Sequence, residues 1–387
     1  MTISKPPIGS NAERSRSSNR QAVLGCIQSA GEMGRAALAR SFGLSTQAVS
    51  NIIAELEADG LLIERGVRAL GRGQPAMQYS VNPKGGYALG IEVRPDAVFM
   101  AILDLSGKEV SSQRSVLKSL EPRKVVAQVQ KLRAEMLQKS GIEPDRVLGA
   151  GVVMPGPFGQ TGLSGNSSDL PGWQSIDVAR LFSEALGLAV ELSNDANAAA
   201  MAERIGGAAH GLSNYAYIYF GAGLGLGLVN QGQLVAGAYG NAGEIGQIPI
   251  FTPDGPMPLE ARLSRISVQR RLANKGALDV AALGALMASE DADLLAWLDD
   301  ACAALSQAVM IIENLFDPET IILGGAMPGS ILDFMVSNVD LPVLSVGNRE
   351  DKTLPRLQRG AAGRMTATLG AASLVLNRAF TPQAAVL

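Results

Sequence analysis

The chain is poor in the residues that build metal centres: one histidine, His210, and two cysteines, Cys26 and Cys302, in 387 residues. A single imidazole cannot assemble a histidine-based metal site, and the two cysteines lack metal-ligand spacing. Each cysteine reads as a small buried residue, and His210 as a surface residue in the loop before a strand. No segment reads as a signal peptide or a membrane-spanning helix. The first 18 residues, rich in Ser, Arg, Asn and Pro, hold no apolar core segment and read as a disordered basic arm on a cytoplasmic protein.

What is present suffices for two or three domains with real cores: the chain is 47% hydrophobic and has 44 glycines. Charge is uneven. Residues 1–85 hold ten Lys and Arg against six Asp and Glu, a net +4, so the remainder carries −7 of the total −3. Basic residues gathered on one module of an acidic protein suit a local phosphate-binding footprint.

Residues 19–82 carry the pattern of a winged helix-turn-helix. Val23, Leu24 and Ile27 give a first helix its apolar face, and residues 35–40 make a short second one. Phe42-Gly43-Leu44-Ser45 is the turn, where Gly43 permits positive φ and Ser45 can cap the third helix. On that helix Ala48, Val49, Ile52, Ile53 and Leu56 face inward, which leaves Thr46, Gln47, Ser50 and Asn51 to reach base edges. Residues 60–65 end the helix and open a strand, Arg65, Arg68 and Arg72 form a basic tip, and residues 77–81 return as the second strand. A small helical oligomerisation domain is the alternative, and it leaves this hairpin unexplained.

The body alternates strands and helices. Residues 87–105 read as a β-hairpin opening a sheet, 122–139 as a helix, 147–154 as a buried strand, 176–186 as a helix and 189–192 as a strand. A helix over 195–205, a hairpin from 215–220 and 225–230, and a late strand over 320–323 complete an α/β architecture in two halves. Glycine clusters at 221–227, 237–246 and 324–325 mark tight turns or close backbone approach. Each alone is ordinary hairpin chemistry; in order, beside Ser193-Asn194-Asp195-Ala196-Asn197, they say more.

With these motifs the chain resembles, over nearly its whole length, the ROK family of repressors, open reading frames and kinases. The carrying residues are Asn194-Asp195-Ala196-Asn197-Ala198-Ala199, Gly221-Ala222-Gly223-Leu224-Gly225, residues 237–246 and residues 317–325. Leu170-Pro171-Gly172-Trp173 fits the family's sugar-side loop, and Gly71-Arg72-Gly73-Gln74-Pro75 the wing tip of its repressor branch. The resemblance implies a two-lobed actin-like ATPase (sugar kinase-like) domain over 86–387, behind the winged helix. It also implies that Asn194, Glu244 and Glu260 contact sugar hydroxyls, and that Asp195 holds the place of the kinase base. Gln247 stands where many members have a histidine that binds zinc and touches sugar.

Two departures shape the expectation. Kinases of this superfamily carry an Asp-x-Gly-Gly-Thr turn for magnesium and phosphate, whereas this chain has Glu92-Val93-Arg94-Pro95-Asp96, and Ala222 replaces a usual threonine in the second phosphate loop. Bulk and a fixed φ at that turn disable phosphoryl transfer and leave Asp195 a vestigial base. The cysteine cluster that completes the zinc site is missing, so no metal or cofactor is expected. The expectation is a non-enzymatic transcriptional regulator, a repressor of carbohydrate-metabolism genes, controlled by a sugar or sugar derivative and acting as a homodimer or dimer of dimers on operator DNA. Arg35, Ser45, Thr46, Gln47, Ser50, Asn51, Arg72 and Gln74 would form the DNA contact, with Arg72 and Gln74 in the minor groove and Arg14, Arg16 and Arg35 on phosphates. Asn194, Asp195, Glu244, Gln247 and Glu260 would form the ligand site. An ATP-dependent sugar kinase fused to a DNA-binding domain, and a regulator controlled by a protein partner, are the alternatives.

Overall fold

The computed structural model describes residues 10–68, 75–156, 170, 172–173, 175–253, 255–276, 278–361, 363 and 365–382. The chain opens with α1 (Ser10–Ala30), β1 (Met33–Gly34), α2 (Arg35–Phe42), α3 (Thr46–Ala58), β2 (Leu62–Arg68) and β3 (Ala76–Val81). The three strands pair antiparallel in the order β1-β3-β2, so the wing hairpin gains a short third strand. Gly43 adopts the left-handed conformation at φ 62° and closes α2.

The arm expected over residues 1–18 is corrected from residue 10 onward, because α1 begins there. Its first half lacks an apolar face and is held by charge instead. Arg16 pairs with Glu55 of α3, and Arg20 with both Glu55 and Asp59. Arg16 is thus paired with Glu55 at the surface, its own side chain 67% exposed.

Lobe one is a five-stranded sheet of β4 (Tyr87–Val93), β5 (Ala97–Asp104), β6 (Glu109–Val116), β7 (Val147–Val153) and β8 (Val190–Ser193), in the order β6-β5-β4-β7-β8. Sequence patterning misses β6, since this edge strand exposes polar residues and its sheet partner β5 supplies the apolar run. Helices α4 (Pro122–Ser140) and α5 (Val178–Leu186) cover the sheet through Val125, Val129, Phe182 and Leu186. Helix α6 (Asp195–Gly206) then leads to lobe two.

Lobe two pairs β9 (Tyr215–Phe220), β10 (Leu224–Asn230) and β11 (Gln233–Leu234), adds the separate hairpin β12 (Pro249–Thr252) and β13 (Gly255–Pro258), and continues through α7 (Arg265–Arg271), α8 (Val280–Ala288) and α9 (Ala292–Phe316). Strand β14 (Thr320–Gly325), α10 (Gly329–Asn338), β15 (Leu357–Arg359) and α11 (Thr366–Phe380) follow, and the second five-stranded sheet runs β11-β10-β9-β14-β15. Among the described residues α9 alone is long and apolar enough to cross a bilayer by length and composition. Its length serves the core: Leu294, Trp297, Leu298, Leu305, Val309 and Ile312 are buried in the main cluster of lobe two.

Cys302 is buried as expected, whereas Cys26 is only half-buried, on a helix with one side open. The winged helix is not tethered by a loose linker. Residues Pro83–Gly85 form a 3-10 turn capped by Asn82, and the Leu105 amide donates to the Pro83 carbonyl at 3.1 Å. Val23, Leu24 and Ile27 share one apolar cluster with Leu103, Leu105, Ile205, Leu376 and Phe380, so module and lobes are packed as one body.

Candidate DNA-reading and ligand-binding sites

Helix α3 is set by its cap and its apolar stripe. Ser45 sits extended at φ −67° and ψ 150°, and its hydroxyl accepts from the Ala48 amide at 3.1 Å. Replacing it with alanine should cost about 1 kcal/mol of stability, measured by urea unfolding, because that amide loses its acceptor. Val49, Ile52, Ile53 and Leu56 are buried, as the helical period requires. Thr46, Gln47 and Asn51 are exposed and Ser50 is half-buried, with Gln47 Nε2 donating to Asn51 Oδ1 at 3.1 Å. Paired amides of this kind present both donor and acceptor to an adenine edge.

The basic residues divide. Arg35 is exposed, its guanidinium 5.2 Å from the Tyr79 ring. Arg65 Nε donates to Ser80 Oγ at 2.7 Å, and Arg68 pairs with Glu32 at 3.0 Å. The Arg14 side chain, Arg72 and Gln74 lie outside the described residues.

The ligand-site residues converge from both lobes. Asn194 caps α6, its Oδ1 accepting from the Asn197 amide at 2.8 Å, and its amide nitrogen has no partner among the described residues. Asp195, the first helical residue, is half-buried, with Oδ1 accepting from the Ala196 amide at 2.9 Å. Glu244 and Gln247 flank one 3-10 turn of lobe two and Glu260 lies in another. Gln247 Nε2 donates to Glu260 Oε1 at 2.7 Å, so Gln247 orients that carboxylate.

Glycines act as rulers across the cleft. A Cβ on Gly156 would stand 3.7 Å from both Asn194 Cβ and Glu244 Oε1, and one on Gly223 only 2.7 Å from Glu260 Oε2. Desolvation by burial pushes the Asp195 carboxyl up to about 6, with the Glu92 and Glu244 carboxylates adding to it. Burial also raises Glu244, and the neighbouring Glu260 raises it further. Such a concentration of acceptors suits a polyol, whose hydroxyls donate to several carboxylates at once. A separate cavity of about 340 Å³, lined by Glu191, Ser193, Asn197, Leu234, Tyr239 and Leu374, opens beside the first turn of α6.

The phosphate turn holds a feature that sequence reading misses. Arg94 does more than add bulk: its Nε donates to Glu92 Oε1 at 2.6 Å, and its guanidinium lies 4.5 Å from the Phe99 ring. The other Glu92 oxygen accepts from Thr368 Oγ1 at 2.6 Å. Residue 94 follows β4 directly, so an extended continuation of the strand puts 92 and 94 on one face, which was the available signal. Tyr219 was also missed. It is 6% exposed, and burial drives its phenol far above the usual range. Trp173 of the segment expected to be the sugar-side loop is a core anchor, with Nε1 donating to the Leu120 carbonyl at 2.8 Å.

The chain matches the ROK family over residues 88–378. It belongs to the ROK family. Residues 16–63 match a winged helix-turn-helix DNA-binding domain. The uncharacterized protein y4fQ of Sinorhizobium fredii (strain NBRC 101917 / NGR234) is 27% identical over 352 residues, covering 89% of this chain and 87% of that protein. The xylose repressor of Bacillus subtilis (strain 168) is 25% identical over 379 residues, covering 93% and 95%. A solved structure of a ROK family transcriptional regulator, a homologue of the E. coli MLC protein, shares the fold at a TM-score of 0.70 and 23% identity, covering 95% of this chain and 98% of that one.

Proposed function

We propose that this ROK protein is a transcriptional repressor whose hold on operator DNA is set by a sugar seated between its lobes. The observation that carries the reading is one packed body with exposed Thr46, Gln47 and Asn51 at one end and a two-lobed ring of Asn194, Asp195, Glu244 and Glu260 within. A relative named xylose repressor, matched over 93% of this chain, makes a pentose the first sugar to try. One winged helix reads one half-site, so two copies would read a pseudo-palindrome. The chain acts without catalysis, since Glu92 is committed to Arg94 and Thr368 and cannot organise magnesium and phosphate.

The test has two arms. Thermal shift with sugars, sugar phosphates and ATP–magnesium should give a rise with one sugar only, because a ligand bound to the native state stabilises it by mass action. A duplex selected by the protein from a random pool should lose about 10- to 100-fold in affinity on Gln47→Ala or Asn51→Ala, the value of a bidentate base contact. Silence from every small molecule would sink the sugar reading and point to a protein partner. Asp195 supports a second reading: a carboxyl near 6 at a sugar hydroxyl is a serviceable general base. Turnover of ATP with a hexose, abolished by Asp195→Asn, would establish that kinase.

A further inference from the structure

Two helices touch both the cleft and the winged helix. Helix α6 starts at the cleft with Asp195 and ends near Ile205, whose carbonyl accepts from Gln28 Nε2 of α1 at 3.4 Å. Helix α11 starts beside the cleft, where Thr368 bonds Glu92, and ends on α1. There Gln21 Nε2 donates to the Arg378 carbonyl at 3.1 Å, and a Cβ on Gly25 would collide with the Phe380 carbonyl.

The two helices are also locked to each other. A Cβ on Gly370 would collide with the Ala198 carbonyl, so the backbones touch with no side chain between them. Arg204 Nε donates to Asn377 Oδ1 at 3.0 Å and ties their far ends. Residues Ala196, Ala198, Ala199, Ala200 and Ala202 are buried and small, which leaves little slack in the contact. Close-packed interiors pass displacement on instead of absorbing it.

We infer that Gln21, Gly25 and Gln28 are positioning residues that convert a movement at Asp195 into reorientation of the reader helix, with α6 and α11 acting as one strut. The inference rests on the reading of the chain as a ligand-controlled DNA binder. A sugar that draws Asp195 and Glu244 together moves α6 at its first residue, and roughly 15 Å along its axis that helix meets α1. Because coupling between sites is reciprocal, DNA held by α3 must in turn change the behaviour of α6.

Hydrogen exchange on the full chain, with and without a duplex selected from a random pool by the protein, tests this. Bound duplex should slow exchange in residues 46–58 and change it in 195–206 by about fivefold or more. The double variant Gln21→Ala, Gln28→Ala removes both side-chain bonds and leaves each backbone intact. It should keep the slowing at 46–58 and lose the response at 195–206, and Gly25→Ala, which pushes α1 off Phe380, should act likewise. If Gly25→Ala fails to fold, the double variant decides alone. A response at 195–206 that persists in the double variant, or slowing at 46–58 with no change at 195–206 in the unaltered chain, overturns the strut. Failure to select any duplex overturns the DNA-binding reading itself and the strut with it.

Discussion

Asp195→Asn should raise the melting temperature at pH 8 and leave it nearly unchanged below pH 4. The carboxyl is raised from 3.8 to about 6, first by burial and then by the Glu92 and Glu244 charges. A raised folded-state value means that the stabilising proton is fully in place below 3.8 and is lost as pH rises through about 6. Asparagine keeps the acceptor for the Ala196 amide and carries no charge to desolvate, so the gap between variant and parent opens across that window and is constant above it. By linkage, a carboxyl raised that far costs the parent on the order of 2–3 kcal/mol at pH 8. Binding should move the other way. Loss of a charged acceptor weakens a sugar hydroxyl contact by about 1.5–3 kcal/mol, or roughly 10- to 100-fold in Kd by calorimetry. A residue kept for packing would not gain stability while losing ligand; equal melting profiles at both pH values would refute the assignment.

How much of this was legible in sequence depends on whether the signal was local. The reader helix was, because its cap, its turn glycine and its apolar stripe all fall within a few turns: Ser45, Gly43, Val49, Ile52 and Leu56 behave as their residue types require. The cluster of Asn194, Asp195, Glu244 and Glu260 was readable only through resemblance to a family, since no spacing rule brings residues 195 and 260 together. What escaped were contacts made by distant segments. Residues 10–18 look disordered alone and become helical by pairing Arg16 and Arg20 with α3. Trp173 sits in a sugar-side motif and turns inward to the Leu120 carbonyl. The sequence also suggested separable domains, yet α11, the last described element, packs on α1, the first, so the boundary after residue 82 is covalent more than it is energetic.

Arg94→Ala should destabilise the protein by about 3 kcal/mol at pH 8, the usual cost of removing one partner from a buried ion pair. The Glu92 side chain is 6% exposed and keeps only the Thr368 hydroxyl when the guanidinium is gone. Arg94→Lys should recover the charge without the planar Nε contact to Glu92 or the stacking on Phe99, and so restore only part of the stability. The same variants weigh the two functional readings. In a kinase the arginine obstructs magnesium, and its removal would free Glu92 to bind the ion and permit ATP turnover. In a regulator Arg94 is the resident cation that fixes Glu92 against Thr368 at the head of α11. Arg94→Ala would then leave ATP untouched and weaken the response of operator binding to sugar, because Glu92, held by Thr368 alone, would anchor the head of α11 less firmly. Urea unfolding at pH 8, with ATP turnover measured on the same samples, decides between them.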